Sequence, residues 1–296
     1  RQQQYGKVLR CPADVCWALG GGNPAVKPED AETYTYGFVL TPTFLRDFVM
    51  SLDYFRIKVD GYVNAIDATT IISQCTEAGN PFFCSLFHRD PQTGTIFGEN
   101  GYVVSTTLNT GFLQTSGVDV ALSYSRDLAD LGLGANGSLG FELVGTYLEE
   151  EITEPVPGLG TYDCVGLFGP GCGQPSPRWR HNLRVTWLMP WRDAALSLNW
   201  RHLGAVNLTY NESNPSLAGP THTINDEIGQ YNYLDLATTI QISQGWSFRA
   251  GVNNVMDKSP PAIAAGLLVE FGNGNTYPGV YDPLGRMFFA GVSAEF

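Results

Sequence analysis

Paired cysteines, scattered histidines and carboxylate runs are the residues of this chain with chemistry to offer. The six cysteines fall as three close pairs: Cys11 with Cys16, Cys75 with Cys84, and Cys164 with Cys172. Common zinc sites want C-x2-C spacing with a second such pair or histidines, and none of these spacings match. Local loop disulfides, made in an oxidising compartment, fit better. His88, His181, His202 and His222 lie on separate segments with no pair at ligand spacing. The expectation is therefore no metal and no cofactor. Gly132 to Gly137 spells G-x-G-x-x-G, but a dinucleotide site needs a helix after it. The residues beyond Gly137 alternate like a strand, so the segment reads as a glycine-rich turn. Glu149-Glu150-Glu151 invites acid/base work, yet at a strand end entering a loop it reads as a solvated charge run. No nucleophile elbow, zinc-protease helix or Walker loop appears. The chain does not read as an enzyme.

Composition narrows the class. Of 296 residues, 43% are hydrophobic and only 16% charged, low for a water-exposed surface. The formal charge of −12 argues against nucleic acid, whose phosphates need basic patches. The most apolar run, Ala262 to Phe271, is too short for a membrane helix, which takes roughly 20 residues. A membrane strand needs only about ten residues with alternate ones apolar, and averaged hydropathy hides it. The opening RQQQYGKVLR lacks the apolar centre of a secretory leader. The expectation is a leader already removed or a beginning within a longer protein.

Period-two alternation is what would position any site. It runs through residues 33–40, 48–59, 102–125, 138–149, 178–189, 194–206, 230–242, 246–255 and 286–296. In the last, Phe288, Ala290, Val292, Ala294 and Phe296 share a side, and Phe296 ends the chain on an aromatic, as outer-membrane barrels finish. Opposite the apolar faces, Glu142, Arg184, Arg201, Asp235 and Arg249 share the other side of their strands. A charge against lipid at midplane costs about 2–4 kcal/mol for Arg or Lys, so this side should line a watery lumen. A sandwich would put the same residues on its wet exterior. Connection length discriminates: long after Val59, Glu149, Val206 and Val255, mostly tight between. Outer-membrane barrels keep that asymmetry, with brief periplasmic turns and extended external loops. Trp187, Trp191, Trp200 and Trp246 lie near strand ends, where an interfacial girdle would sit. The reading is all-β: an antiparallel transmembrane β-barrel of about ten strands. Residues 1–32 read as loop and 33–296 as strands with long external loops.

Six segments carry a resemblance: NPAVKPEDAETYTYGF (Asn23 to Phe38), LDYFRIKVDG (Leu52 to Gly61), LNTGFLQTSGVDV (Leu108 to Val120), SPRWRHNL (Ser176 to Leu183), GVNNVMD (Gly251 to Asp257) and YDPLGRMFFAGVSAEF (Tyr281 to Phe296). In this order and spacing they resemble the C-terminal half of the β-barrel of a TonB-dependent outer-membrane receptor. The resemblance implies the C-terminal part of a 22-stranded barrel, the plug and first half being absent here. It implies energy-coupled uptake of a scarce nutrient, such as a siderophore, vitamin or saccharide, across the bacterial outer membrane. The implied partners are the lipid bilayer, the barrel-assembly machinery that reads the terminal strand at Phe296, and a small-molecule nutrient. The TonB complex would be a further partner, reached through the missing N-terminal part. Ligand contacts should come from the long loops, with Tyr210, Asn211, Glu212, Tyr277 and Tyr281 as candidates. A passive outer-membrane diffusion channel is the alternative of the same architecture. A secreted all-β binding or glycosidase domain is the alternative from another class.

Overall fold

A computed structural model describes residues 18–66, 68–76, 79–96, 100–132, 137–269 and 272–295. In chain order the first strands are β1 (Ala18–Gly21), β2 (Asp30–Leu40), β3 (Phe48–Asp60) and β4 (Val63–Ala65). Two short helices come next, α1 (Ala68–Thr76) and α2 (Pro81–Ser85). Then come β5 (Phe87–His88), β6 (Tyr102–Asn109), β7 (Phe112–Asp127), β8 (Ser138–Glu154), β9 (Tyr162–Asp163) and β10 (Leu167–Phe168). The last are β11 (Trp179–Met189), β12 (Ala194–Leu203), β13 (Val206–Leu208), β14 (Glu227–Ile228), β15 (Tyr231–Ser243), β16 (Trp246–Asn253) and β17 (Met287–Ala294). Neither helix is long or apolar enough to cross a membrane.

The chain divides into two compact units. The first comprises Arg1–Glu32, Lys58–Leu113 and Glu154–Gly160. Residues 61–101, expected to be irregular, instead carry both helices, β4 and β5 around a core of Ile71, Ile72, Phe83, Ile96 and Val103. Asn80 caps α2 by accepting the Phe82 N–H, and Pro81 takes the first turn, where its missing donor costs nothing. The Cys75–Cys84 disulfide joins α1 to α2, as the sequence led us to expect. A short strand, β1, lies within the segment read as loop and pairs in parallel with β6. So β6, the first part of the alternating 102–125 region, belongs to this unit's small sheet.

The second unit comprises Thr33–Ile57, Gln114–Thr153 and Thr161–Phe296. Its frame is a ten-stranded sheet of order β17-β16-β15-β12-β11-β8-β7-β3-β2, with the two-residue β9 added to β8. Neighbours in sequence are neighbours in space because tight turns join alternate pairs. Residues 190–193 and 244–245 reverse the chain with Arg192 and Asp193 at φ 52° and 45° and Gly245 at φ 78°. At Gly245 a Cβ would meet the Glu295 carbonyl at 2.6 Å, so glycine is required there.

Register keeps each face in one piece. Phe141, Val185, Leu198, Leu236, Val252 and Phe288 stand opposite one another along the ladder from β8 to β17. A one-residue slip in any pair would break that stripe. Among the described residues no second layer covers it: Leu198 is 44% exposed and Phe288 is 74% exposed. So large an apolar surface on a folded chain needs an apolar environment. Trp191 and Trp246 flank the tight turns, and Trp187 lies in the last turn-side part of β11. Trp200 lies toward the other end of the same stripe, level with Leu183. Leu183 to Met189, beside Trp191, is seven residues, whose six steps span roughly 20 Å of strand, close to the roughly 25 Å apolar band of an outer-membrane barrel.

Candidate functional site

Opposite the apolar stripe the sheet is polar, and all five ionic residues expected there share it. Glu142 faces Arg184 across β8 and β11 with an ion pair at 4.0 Å. Asn199 faces Asp235 across β12 and β15, and Thr239 faces Arg249 across β15 and β16. Arg201 is the most engaged of them. Its Nε and Nη2 donate to both oxygens of Asp235, at 2.8 and 3.1 Å, while Nη1 reaches Asp282 at 2.8 Å. Its guanidinium also lies 4.8 Å from the Tyr233 ring, and the Tyr233 hydroxyl accepts the Asp282 N–H. Asp235 is steadied in turn by the Asn199 amide and by the N–H of Asn254. Asn254 is wholly buried in the left-handed region at φ 52°, which asparagine tolerates. Asp282 comes from the long connection between β16 and β17, so this network pins that connection to the polar face.

The connections build a core of their own. Phe168, Val206, Leu208, Ile228, Ile263, Leu267, Tyr277 and Tyr281 bury one another, with β10, β13 and β14 forming a three-stranded sheet. This bears on the expected ligand contacts. Tyr277 is 0% exposed and Tyr281 is 2% exposed, so both rings pack loops and present nothing to a ligand. Burial raises both phenols above their usual pKa. Tyr210 stacks on His222 with centroids 5.7 Å apart, and Asn211 bonds the His222 backbone at both N–H and carbonyl. Glu212 is half-buried and donates its N–H to the Thr209 carbonyl. These three brace a loop.

A cavity of about 490 Å³ opens on the polar face at the loop end of β3, β7, β8 and β11, all within the second unit. Phe55, Thr115, Thr146, Leu148, Glu151 and Arg180 line it from the strands. Residues 172–177 complete it, held by the Cys164–Cys172 disulfide. Arg180 stands opposite Thr146 in the ladder, hence on the face of Arg184 and Glu142. Phe55 shares a side of β3 with Ser51 and Asp53, and it lies where Gly117 leaves room. A Cβ on Gly117 would meet the ring at 2.9 Å and the Tyr147 carbonyl at 2.5 Å. Glu151 joins Thr146 and Leu148 in the cavity, although strict alternation would turn it away. It accepts a hydrogen bond from the Ser176 hydroxyl. Glu150 accepts from Gln114 at 2.8 Å. The acidic run is therefore only partly solvated: Glu149 is exposed, whereas Glu150 and Glu151 are bonded.

Sequence reasoning did not single out this cavity. One signal for it was present: the SPRWRHNL segment opens on Ser176 and carries Arg180. The predicted Cys164–Cys172 pair forms. Cys11, Cys16 and Phe296 lie outside the described residues, and Gly132 to Gly137 is only partly described, with β8 after it. Among the described residues no three His, Cys, Asp or Glu side chains converge to hold a metal.

Residues 5–255 match the family described as TonB dependent receptor-like, beta-barrel. No curated protein matches the chain. Among solved structures it resembles a mutant of the ferric enterobactin receptor PfeA from Pseudomonas aeruginosa in complex with enterobactin. That match has 18% identity and a TM-score of 0.59, covering 95% of this chain and 34% of that one. The siderophore receptor PirA from Acinetobacter baumannii is similar at 16% identity and TM-score 0.54, over 97% of this chain and 34% of that one. The FrpB iron transporter from Neisseria meningitidis (F3-3 variant) is similar at 11% identity and TM-score 0.55, over 94% and 33%. The chain thus spans about a third of the length of the structures it matches.

Proposed function

This chain belongs to the TonB-dependent receptor-like β-barrel family of the bacterial outer membrane, and from that premise we propose that it forms one wall of an energy-coupled nutrient receptor. The apolar stripe faces lipid and the polar face lines the lumen. A scarce small nutrient is captured at the loop end, in the cavity between β3, β7, β8 and β11. The TonB complex supplies the energy for its passage through parts of the receptor beyond this chain. The observation that carries the reading is the joint arrangement of the two faces. The ladder from β8 to β17 keeps one side apolar and uncovered. The cavity and the Arg201 network lie on the other side.

Wall and loops divide the work. The sheet's hydrogen bonds satisfy the backbone inside lipid, where unpaired groups are costly. The loop core and its disulfide fix the cavity before a ligand arrives, so little ordering entropy is lost on binding. The deciding experiment is uptake of labelled nutrient by cells carrying the whole receptor, with and without a protonophore. Uptake that stops when the proton gradient collapses is expected. Undiminished uptake would overturn the energy-coupled reading in favour of passive diffusion.

A further inference from the structure

We infer that the cavity between β3, β7, β8 and β11 takes a neutral, polyhydroxylated ligand of the saccharide class rather than a polyanionic ferric chelate. The inference rests on the receptor reading above and narrows its substrate. Charge is the first reason. The cavity offers one cation, Arg180, and one anion, Glu151, which cancel. Of the neighbouring cations, Arg184 is paired with Glu142 and Arg178 lies over the Tyr147 ring. A ferric tris-catecholate places six phenolate oxygens on one iron(III) ion and so carries three negative charges. Removing that charge from water without matching cations is heavily disfavoured.

Donor chemistry is the second reason. Thr115 supplies a hydroxyl and Gln174 an amide that both donate and accept, while Thr146 and Ser176, whose hydroxyls donate to Asp119 and Glu151, supply acceptors. Glu151 only accepts and Arg180 only donates. A ligand whose every hydroxyl is both donor and acceptor can satisfy such a mixed set. A chelate presenting acceptors alone leaves the Glu151 carboxylate opposed by like charge. Shape is the third reason. The Phe55 ring, seated over Gly117, gives the cavity a flat apolar wall, suited to the C–H face of a sugar ring. The volume of about 490 Å³ falls in the usual range for small-molecule sites, roughly 300–1,000 Å³.

The test is calorimetric titration of the whole receptor in detergent. The probes are neutral hexasaccharides of glucose, xylose, mannose and galactose, with ferric enterobactin as the trianion. We expect at least one neutral hexasaccharide to bind with Kd below about 100 μM and little change in affinity with salt. Glu151→Gln discriminates by sign. It should weaken saccharide binding about tenfold by removing an acceptor, whereas it would tighten a polyanion by removing like charge. Thr146→Val, which conserves volume, should also weaken the saccharide. Binding of ferric enterobactin that tightens in Glu151→Gln overturns the inference, as does failure of every hexasaccharide to bind at about 10 mM. Loss of the inference leaves the receptor reading standing if uptake still stops with the proton gradient. Protonophore-insensitive uptake would sink that reading whatever the cavity binds.

Discussion

Replacing Arg201 with methionine tests whether the polar face holds the last long connection in place. The side chain keeps an unbranched apolar stem and loses both carboxylate contacts. Arg201 is 28% exposed, Asp235 15% and Asp282 26%. Breaking a fully buried pair costs about 3–5 kcal/mol and an exposed one at most about 1 kcal/mol. Such partly exposed groups belong between these limits, at about 2–3 kcal/mol. Most of the loss falls on the 254–286 connection. Asp235 keeps the Asn199 amide and the Asn254 N–H, whereas Asp282 loses its guanidinium partner altogether. The opening equilibrium of that connection should rise about 30- to 150-fold. Hydrogen exchange in the whole receptor reads it. The Ile263, Leu267 and Tyr281 amides, bonded within the connection, should exchange faster by that factor. Amides in the ladder between β12 and β15 should not change. Asp282→Asn alone should reproduce the effect, and the double variant should be no worse than either. An acceleration below threefold, or one shared equally by β12 and β15, would refute the reasoning.

Leu236→Arg, on the apolar stripe, should cost about 2–4 kcal/mol of folding into bilayers, whereas Ala237→Arg, one residue on and on the polar face, should cost much less. Urea titration in phosphatidylcholine vesicles measures both, and equal losses would contradict the assignment of faces. Replacing Cys164 and Cys172 together with serine should cost about 2.5 kcal/mol of loop stability, given their separation of 8 residues. Limited proteolysis of residues 155–178 would then speed up, and an unchanged cleavage rate would remove the disulfide's part in shaping the cavity. Tyr277 and Tyr281 have phenols raised by burial. Below about pH 10 neither the packed nor the opened loop is ionised, so stability is flat there. Above it the opened form loses protons first, and packing weakens as pH rises. Loop exchange should therefore accelerate above about pH 10 while tyrosinate absorbance lags behind free phenol. Normal titration of both tyrosines with intact loops would contradict their burial.

Alternation alone determined where nearly every wall strand runs, because a sheet between lipid and water imposes period two on each strand. Residues 190–193 and 244–245 were legible as tight turns from their polar or glycine content. The pairing of Cys75 with Cys84 and of Cys164 with Cys172 followed from closeness in sequence. The face of Glu142, Arg184, Arg201, Asp235 and Arg249 was legible for the same reason as the strands. Only the tertiary structure decided what the loops do. Tyr277 and Tyr281 looked like ligand contacts because they are aromatic and lie in a connection. They are core, since Phe168, Leu208 and Ile263 converge on them from segments distant in sequence. Residues 61–101 looked irregular because two short helices stapled by one disulfide leave no long periodic signature. The cavity was hidden for a related reason. Phe55, Thr146, Glu151 and Arg180 come from three strands brought side by side by register, and Glu151 enters where the alternation skips. A local period reports which side of a strand a residue occupies. Which residues meet across strands and loops depends on pairing, and no local period encodes that.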